Sequence, residues 1–269
     1  MPAVPLTAIE PLRYLQSARP LGLFSDIDGT LSPIVERPED ATVTPRSRSL
    51  LKRLIQEGVR VSLITGRPLA TARAMVGIDG AAYAANHGLE YWLDGRVELA
   101  EVVDEYRDLV DQVVAETTHL ASFGVQVERK GPGMAFHYRG APDAEAARTA
   151  IFSALEMATA SRHFKLCEGR KVIELRPDVS VSKGTATRIL ATRLGVKAVL
   201  CIGDDQTDVD MFQAVRDLRD QGIEGSAVAV LSPEAVEDFL AAADYTVDGV
   251  RGVEWLLGEV LKAVAGTSP

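Results

Sequence analysis

The chain has 269 residues, 46% hydrophobic and 25% charged, the composition of an ordinary soluble globular protein of one or two domains. Its formal net charge of −9 argues against nucleic acid as a partner, which needs a basic surface, and would repel an anionic substrate unless local cations recruit it. No apolar stretch approaches a membrane span, and the start MPAVPLTAIEPLRYL has no basic patch followed by an apolar core, so neither anchor nor secretory signal is expected. Cys167 and Cys201 lie far apart in strand-like runs and are expected as two buried free thiols in a reducing cytosol.

Residues 1–20 read as a short amphipathic helix and a lead-in. The apolar run from Leu21 to Phe24 predicts a buried strand over 21–25. It ends in Asp26 and Asp28, with Gly29-Thr30 following at once. Spacing of two puts both carboxylates on one side of an extended backbone, and glycine lets the chain leave in a sharp turn. Two acids at the end of a buried strand need compensation, usually a cation or catalytic protonation. A helix near 45–57, a strand over 59–64 and a helix near 68–76 follow. This alternation implies a parallel sheet with helices on both faces. Segment 82–98 reads as strand, turn, strand, with Asp94-Gly95 as the hairpin turn.

The pattern then changes. Val102, Val103, Tyr106, Leu109, Val110, Val113 and Val114 trace one helical face across 101–120. Strands are predicted over 124–130 and 134–140, a helix over 142–160, and strands over 163–169 and 170–177. Two such helix–strand–strand units can form one four-stranded sheet with both helices on one face. We read 104–177 as an inserted small α+β domain. From 183 the alternation resumes, with a helix over 183–194, a strand over 198–202, a helix over 207–217 and a strand over 226–231. A helix over 233–241, a short strand at 245–247 and a helix over 252–264 complete the chain. The predicted class is α/β. The core is a discontinuous, doubly wound, Rossmann-like parallel sheet built from 1–103 and 178–269.

The segment LGLFSDIDGTLSP resembles the first motif of the haloacid dehalogenase superfamily, whose members mostly transfer phosphoryl groups through an aspartyl-phosphate. VRVSLITGRP, VSKGTATRILATRLG and AVLCIGDDQTDVDMF are similar to its later motifs, in the same order. The resemblance implies that the insertion is a cap closing over the active site, hinged near 100–104 and 177–180.

In an open doubly wound sheet, ligands bind beyond the carboxyl ends of the strands, where Asp26, Asp28, Thr65 and Asp204 fall. A phosphate ester and a carboxylate nucleophile are both anionic, so cations must bring them together. Mg²⁺ suits such oxygen donors. Asp26 and Asp204 are expected to ligate it by side chain and Asp28 by its backbone carbonyl, with Asp205 and Asp208 supporting that shell. Lys183 is expected to pair with Asp26 and the transferring phosphoryl group, and Thr65 to donate to a phosphoryl oxygen. Asp26 then attacks phosphorus, while Asp28 protonates the leaving oxygen and later activates water. Asp at position 28 resembles phosphatases and mutases, whereas transport ATPases carry Thr there; hydrolysis is the expectation.

The hairpin VERKGPGMAFHYR and the strand GRKVIELRP, together with DIDGTLSPI, ITGRP, NHG and GDDQTDVDMF, resemble the trehalose-6-phosphate phosphatase family from Leu21 to about Phe212. The resemblance implies that Glu128, Lys130 and Glu174 bond the distal glucose hydroxyls. The alternative for Glu128 and Lys130 is a solvated strand face. Arg67 either steers substrate or pairs with an acid, and Arg139 and Arg176 either bind phosphate or pair with cap acids. His137 is expected to order the hairpin and His87 to shape the pocket, neither with a catalytic role. The family motif reads GDDxTDED, and Val209 departs from it; metal binding is expected to survive.

The expected activity is Mg²⁺-dependent hydrolysis of trehalose 6-phosphate by a stand-alone cytoplasmic phosphatase. The alternatives are sucrose, glucosylglycerate or mannosylglycerate phosphate as substrate, a phosphomutase, or a non-catalytic sugar-phosphate sensor. The expected partner is a phosphosugar, with no nucleic acid, membrane or obligate protein partner.

Overall fold

The computed structural model describes residues 3–35, 37–100, 103–169, 171–179, 181–232 and 236–266. It begins with a strand, β1 (Val4–Pro5), and a 3-10 segment at Glu10–Gln16. The expected amphipathic α-helix is therefore replaced. Pro11 starts the segment, and Leu12 leaves helical geometry at φ −104°, ψ 31°. Residues three apart eclipse in a 3-10 turn, so Leu12 and Leu15 still bury together.

Next come β2 (Leu21–Ser25), α1 (Pro45–Gln56), β3 (Arg60–Ile64), α2 (Leu69–Val76), β4 (Ala82–Ala85), β5 (Glu90–Leu93) and β6 (Arg96–Leu99). The segment read as a simple hairpin contains a further turn, Asn86–Gly88, between β4 and β5. Asp94 and Gly95 make the β5–β6 turn, both with positive φ.

The middle of the chain supplies α3 (Val103–Glu116), β7 (Gln126–Lys130), β8 (Gly133–His137), α4 (Ala144–Met157), β9 (Phe164–Gly169) and β10 (Val172–Pro177). The remainder is α5 (Lys183–Arg193), β11 (Ala198–Gly203), α6 (Val209–Asp220), β12 (Glu224–Leu231), α7 (Glu237–Ala242), β13 (Tyr245–Asp248) and α8 (Gly249–Ala265). The start of the helix expected over 233–241 lies outside the described residues, as do residues 101, 102 and 180 of the expected hinges.

Two compact units result. The larger ends at Glu98 and resumes at Val181, and the smaller begins at Leu99. Among the described residues the larger unit holds a nine-stranded sheet in the order β1-β13-β12-β11-β2-β3-β4-β5-β6. The pairs from β1 to β4 are parallel, and β5 runs antiparallel to β4. Period-two alternation divides each central strand between two cores. Leu21 and Leu23 of β2, Val61 and Leu63 of β3, and Leu200 and Ile202 of β11 face one core, covered by α1, α2 and α8. Phe24, Ile64, Val199 and Cys201 face the other, covered by α5, α6 and α7. Burial on both faces explains why these strands read as unbroken apolar runs.

The smaller unit is an antiparallel sheet in the order β7-β8-β10-β9. Met134, Phe136, Ile173 and Leu175 point to one side, where they pack with Tyr106, Val110 and Val113 of α3 and Ile151 and Leu155 of α4. Both helices thus cover one face. The alternate residues, including Glu128, His137 and Glu174, occupy the other face by register. Cys167 sits opposite Glu174 on that second face and is only half-buried, which corrects the expectation of two buried thiols. Cys201 is buried, and both thiols are free. Among the described residues no helix is long and apolar enough to cross a membrane.

Candidate active site

Three neighbouring strands of the larger unit, β11, β2 and β3, deliver side chains to one end of the sheet. β2 hands over to Asp26, whose backbone N–H bonds to the Ile202 carbonyl of β11 at 2.9 Å. β3 hands over to Thr65, tied by its N–H to Ala84 of β4 at 2.9 Å. β11 ends at Gly203, just before Asp204.

The fourth contributor is the start of α5. Ser182 caps this helix in a reciprocal capping box with Thr185, the Ser182 N–H donating to Thr185 Oγ1 at 2.8 Å. The S-x-x-T spacing in SKGT announces that box. It fixes Lys183 at the first helical position, buried, with Nζ 3.0 Å from Asp26 Oδ1 and 2.7 Å from Asp208 Oδ1. The other Asp208 oxygen, Oδ2, accepts the backbone N–H groups of Asp204 at 2.9 Å and Asp205 at 3.1 Å. Asp208 thus braces both Lys183 and the loop bearing Asp204.

Ligand-capable oxygens of Asp26, Asp204 and Asp208 all lie within 4.8 Å of one another. Burial is the leading reason that all three carboxyls rise to about 7. Lys183 opposes that rise, while the neighbouring carboxylates reinforce it. Burial alone would lower Lys183; Asp26 and Asp208 overcome it and hold the ammonium above its usual range. One ammonium therefore faces three carboxylates, and the cluster is short of positive charge. Oxygen-only donors, crowded and under-neutralised, fit a small hard divalent cation. Lys183 and two backbone N–H groups already engage Asp208, leaving Asp26 and Asp204 as the better side-chain ligands.

Gly29 serves the same cluster. Its φ is +72°, and a Cβ there would sit 1.8 Å from Asp204 Oδ2. Only glycine lets the turn after Asp28 pass so close to that carboxylate. The next residue, Thr30, donates to Asp204 Oδ1 at 3.2 Å, a contact that sequence reasoning missed.

Asp28 and Arg67 meet across 39 positions of sequence. The guanidinium donates from Nε to Oδ2 at 2.6 Å and from Nη2 to Oδ1 at 2.7 Å. Its Nη2 also donates to the Pro38 carbonyl at 3.0 Å. Thr65 Oγ1 accepts the Arg67 backbone N–H at 3.2 Å. A cleft of about 500 Å³ opens here, lined by Asp26, Asp28, Thr65, Arg67, His87 and Lys183 among others. His87, at φ +58°, donates its N–H to the Thr65 carbonyl at 3.0 Å. Its turn is anchored by Glu90, which accepts from the Asn86 side chain at 2.8 Å and the Leu69 N–H at 3.1 Å. Glu90 was not foreseen. Asp205 caps the 3-10 turn Gln206–Asp208, accepting the Thr207 N–H at 2.8 Å. Val209 packs partly buried against the helix-covered core, which explains an apolar residue in that motif.

The other sequence candidates belong to the smaller unit. Lys130 Nζ lies 2.7 Å from Glu174 Oε1 and 3.9 Å from Glu128 Oε2. Glu174 Oε2 also accepts from Arg176, at 3.1 Å from Nε and 2.7 Å from Nη2. Partial burial would raise the Glu174 carboxyl; Lys130 and Arg176 hold it below its ordinary value. His137 Nε2 is 2.8 Å from Glu128 Oε2. Glu128, Lys130 and Glu174 are thus brought together on the sheet face without helices, whereas Arg139 lies exposed in the turn after β8.

A sequence model of the trehalose-phosphatase family matches residues 24–244. The chain is 36% identical over 202 residues to the trehalose-phosphate phosphatase of Mycobacterium marinum, covering 72% of this chain and 51% of that protein. It is 35% identical over 217 residues to an uncharacterized glycosyl hydrolase of Mycobacterium tuberculosis, covering 76% of this chain and 16% of that one. The chain therefore spans about half, or much less, of the length of these curated relatives. The structure of Aspergillus fumigatus trehalose-6-phosphate phosphatase superposes with a TM-score of 0.69 at 25% identity, covering 97% of this chain and 100% of that one. The match takes in the strand-end carboxylates, Lys183 and the whole smaller sheet, and the chain belongs to the trehalose-phosphatase family.

Proposed function

We propose that this chain is a phosphoric monoester hydrolase that converts trehalose 6-phosphate to trehalose and phosphate. The observation that carries the reading is the convergence of Asp26, Asp204 and Asp208 on Lys183 at the strand ends. A carboxylate nucleophile, an ammonium and acidic oxygen donors are what phosphoryl transfer through an acyl phosphate requires. The trehalose-phosphate phosphatase names of the relatives support the choice of substrate.

In the proposed reaction an Asp26 oxygen attacks phosphorus as the bond from phosphorus to the sugar oxygen breaks. Asp28 gives its proton to that departing oxygen. Water then attacks the aspartyl-phosphate, Asp28 takes the water proton, and the phosphorus–Asp26 bond breaks to restore the carboxylate. Thr65 and Lys183 hold phosphoryl oxygens throughout. Before the first step Asp28 must release Arg67 and take up a proton from water, which also frees the guanidinium to bind the phosphoryl group. Mg²⁺, held by Asp26, Asp204 and the Asp28 carbonyl, supplies charge neutralisation when bound. The smaller unit supplies sugar recognition through Glu128, Lys130 and Glu174. The unpaired cysteines support a reducing, cytoplasmic setting.

The test is phosphate release from a panel containing trehalose 6-phosphate, sucrose phosphate, glucosylglycerate and mannosylglycerate phosphates, and an aryl phosphate, each with and without Mg²⁺. Preference for trehalose 6-phosphate with metal dependence is expected. Preference for another member reassigns the substrate, and sugar isomerisation without phosphate release reassigns the reaction.

A further inference from the structure

We propose that His137 and Arg176 are positioning residues for sugar recognition, His137 acting through Glu128 and Arg176 through Glu174. The proposal rests on the assignment of those two carboxylates to the sugar. Glutamate has three rotatable side-chain bonds, and ordering it on binding subtracts from affinity. A carboxylate already held by a neighbour avoids that loss. Both carboxylates are so held, by different means.

Glu174 and Arg176 are two apart on β10 and therefore on one face. The guanidinium donates twice to Glu174 Oε2, while Lys130 takes Oε1 at 2.7 Å. The two guanidinium bonds fill Oε2, but Oε1, engaged only by Lys130, keeps a second lone pair for a hydroxyl. Glu128 stands opposite Ala135 on β8, making His137 its diagonal neighbour. Because Ala135 has only a methyl group, the imidazole reaches Glu128 Oε2 at 2.8 Å. The result is one polar chain across three strands, His137–Glu128–Lys130–Glu174–Arg176, with a partner for each carboxylate.

Double-mutant cycles on the full chain test this, with trehalose 6-phosphate as substrate and thermal melting as the check on folding. His137→Ala and Arg176→Ala should each lower kcat/KM by roughly five- to thirtyfold, mostly through KM, at unchanged melting temperature. His137→Gln, whose amide donates from a similar place, should recover most of the loss. Arg176→Lys should recover part of it. The decisive result is coupling: His137→Ala should be nearly silent in a Glu128→Ala background, and Arg176→Ala nearly silent in Glu174→Ala. Equal losses in both backgrounds overturn the proposal, since those side chains then act on their own. Wild-type kinetics for the single variants, with Glu128→Ala and Glu174→Ala impaired, overturn it while leaving the sugar assignment intact. Wild-type kinetics for Glu128→Ala and Glu174→Ala overturn both.

Discussion

Lys183 carries one positive charge into a cluster of three carboxylates, Asp26 and Asp208 buried and Asp204 partly so, and that imbalance governs how the site responds to acid and to metal. Asp26, Asp204 and Asp208 titrate near 7, above the unfolded value near 3.8, because burial disfavours their charged forms. Between those values the metal-free fold binds more protons than the unfolded chain, so its stability falls as pH rises through that window. A divalent cation stabilises the ionised form and competes with protons. Added Mg²⁺ should therefore raise the melting temperature more at about pH 8 than at about pH 5. A shift of equal size at both, or no shift, contradicts a metal held by these groups. Asp26→Asn should reduce turnover by a factor on the order of 10⁴ or more, because an amide cannot attack phosphorus. Asp28→Asn should lose roughly 10²- to 10⁴-fold yet keep the Mg²⁺-dependent melting shift, because its proposed metal contact is a backbone carbonyl. If Asp28→Asn lost that shift as completely as Asp204→Asn, the division of labour between Asp26 and Asp28 would be wrong.

Elements differ in how openly the sequence declares them. The runs LGLFS, VSLI and AVLCIG announce buried strands because both faces of the sheet are covered, and they end at Asp26, Thr65-Gly66 and Gly203-Asp204. The start of α5 is equally local, since Ser182, Lys183 and Thr185 are neighbours. What stayed hidden depends on distant loops meeting. Arg67 and Asp28 were separate candidates until the structure joined their side chains. Asp208 could not be assigned to Lys183 without knowing where α6 begins. β1 is two residues long, includes a proline, and exists only through its pairing with β13. On β7, by contrast, alternation was enough to place Glu128 and Lys130 on one face. Glu128→Ala and Lys130→Ala should each cost roughly 1.5–3 kcal/mol in the transition state for trehalose 6-phosphate, about ten- to a hundredfold in kcat/KM. Part should appear in kcat, since remote contacts also support catalysis. Comparison with a small aryl phosphate checks this: equal losses on both substrates would indicate general damage instead.

Across the whole chain, stability comes from two cores on the faces of the large sheet and a third inside the smaller unit. Tyrosines report on the large-sheet cores. Tyr14 donates its hydroxyl to the Val199 carbonyl at 3.0 Å, and burial pushes it far above its ordinary value of 10.0. Burial also raises Tyr83 and Tyr91 to about 12. All three prefer the neutral form when folded, so the stability they contribute is complete below 10 and lost as pH rises through their folded values. An ultraviolet titration at about pH 11 should therefore count fewer tyrosinates than the six tyrosines present, with the rest appearing only on unfolding. Six ionised tyrosines in a chain that keeps its circular dichroism would contradict this account of the core.

The placement of the two cysteines has a practical consequence. Cys201 lies sealed in β11, where burial holds its thiol neutral and unreactive. Cys167 is half-buried on the helix-free face of the smaller sheet, directly across from Glu174. A maleimide dye or a nitroxide spin label should therefore couple at one position of the native chain, with no cysteine removed beforehand. The reporter would sit one strand from the carboxylate assigned to the sugar, and its brightness or mobility would register disaccharide arriving on that surface even when no phosphate is turned over.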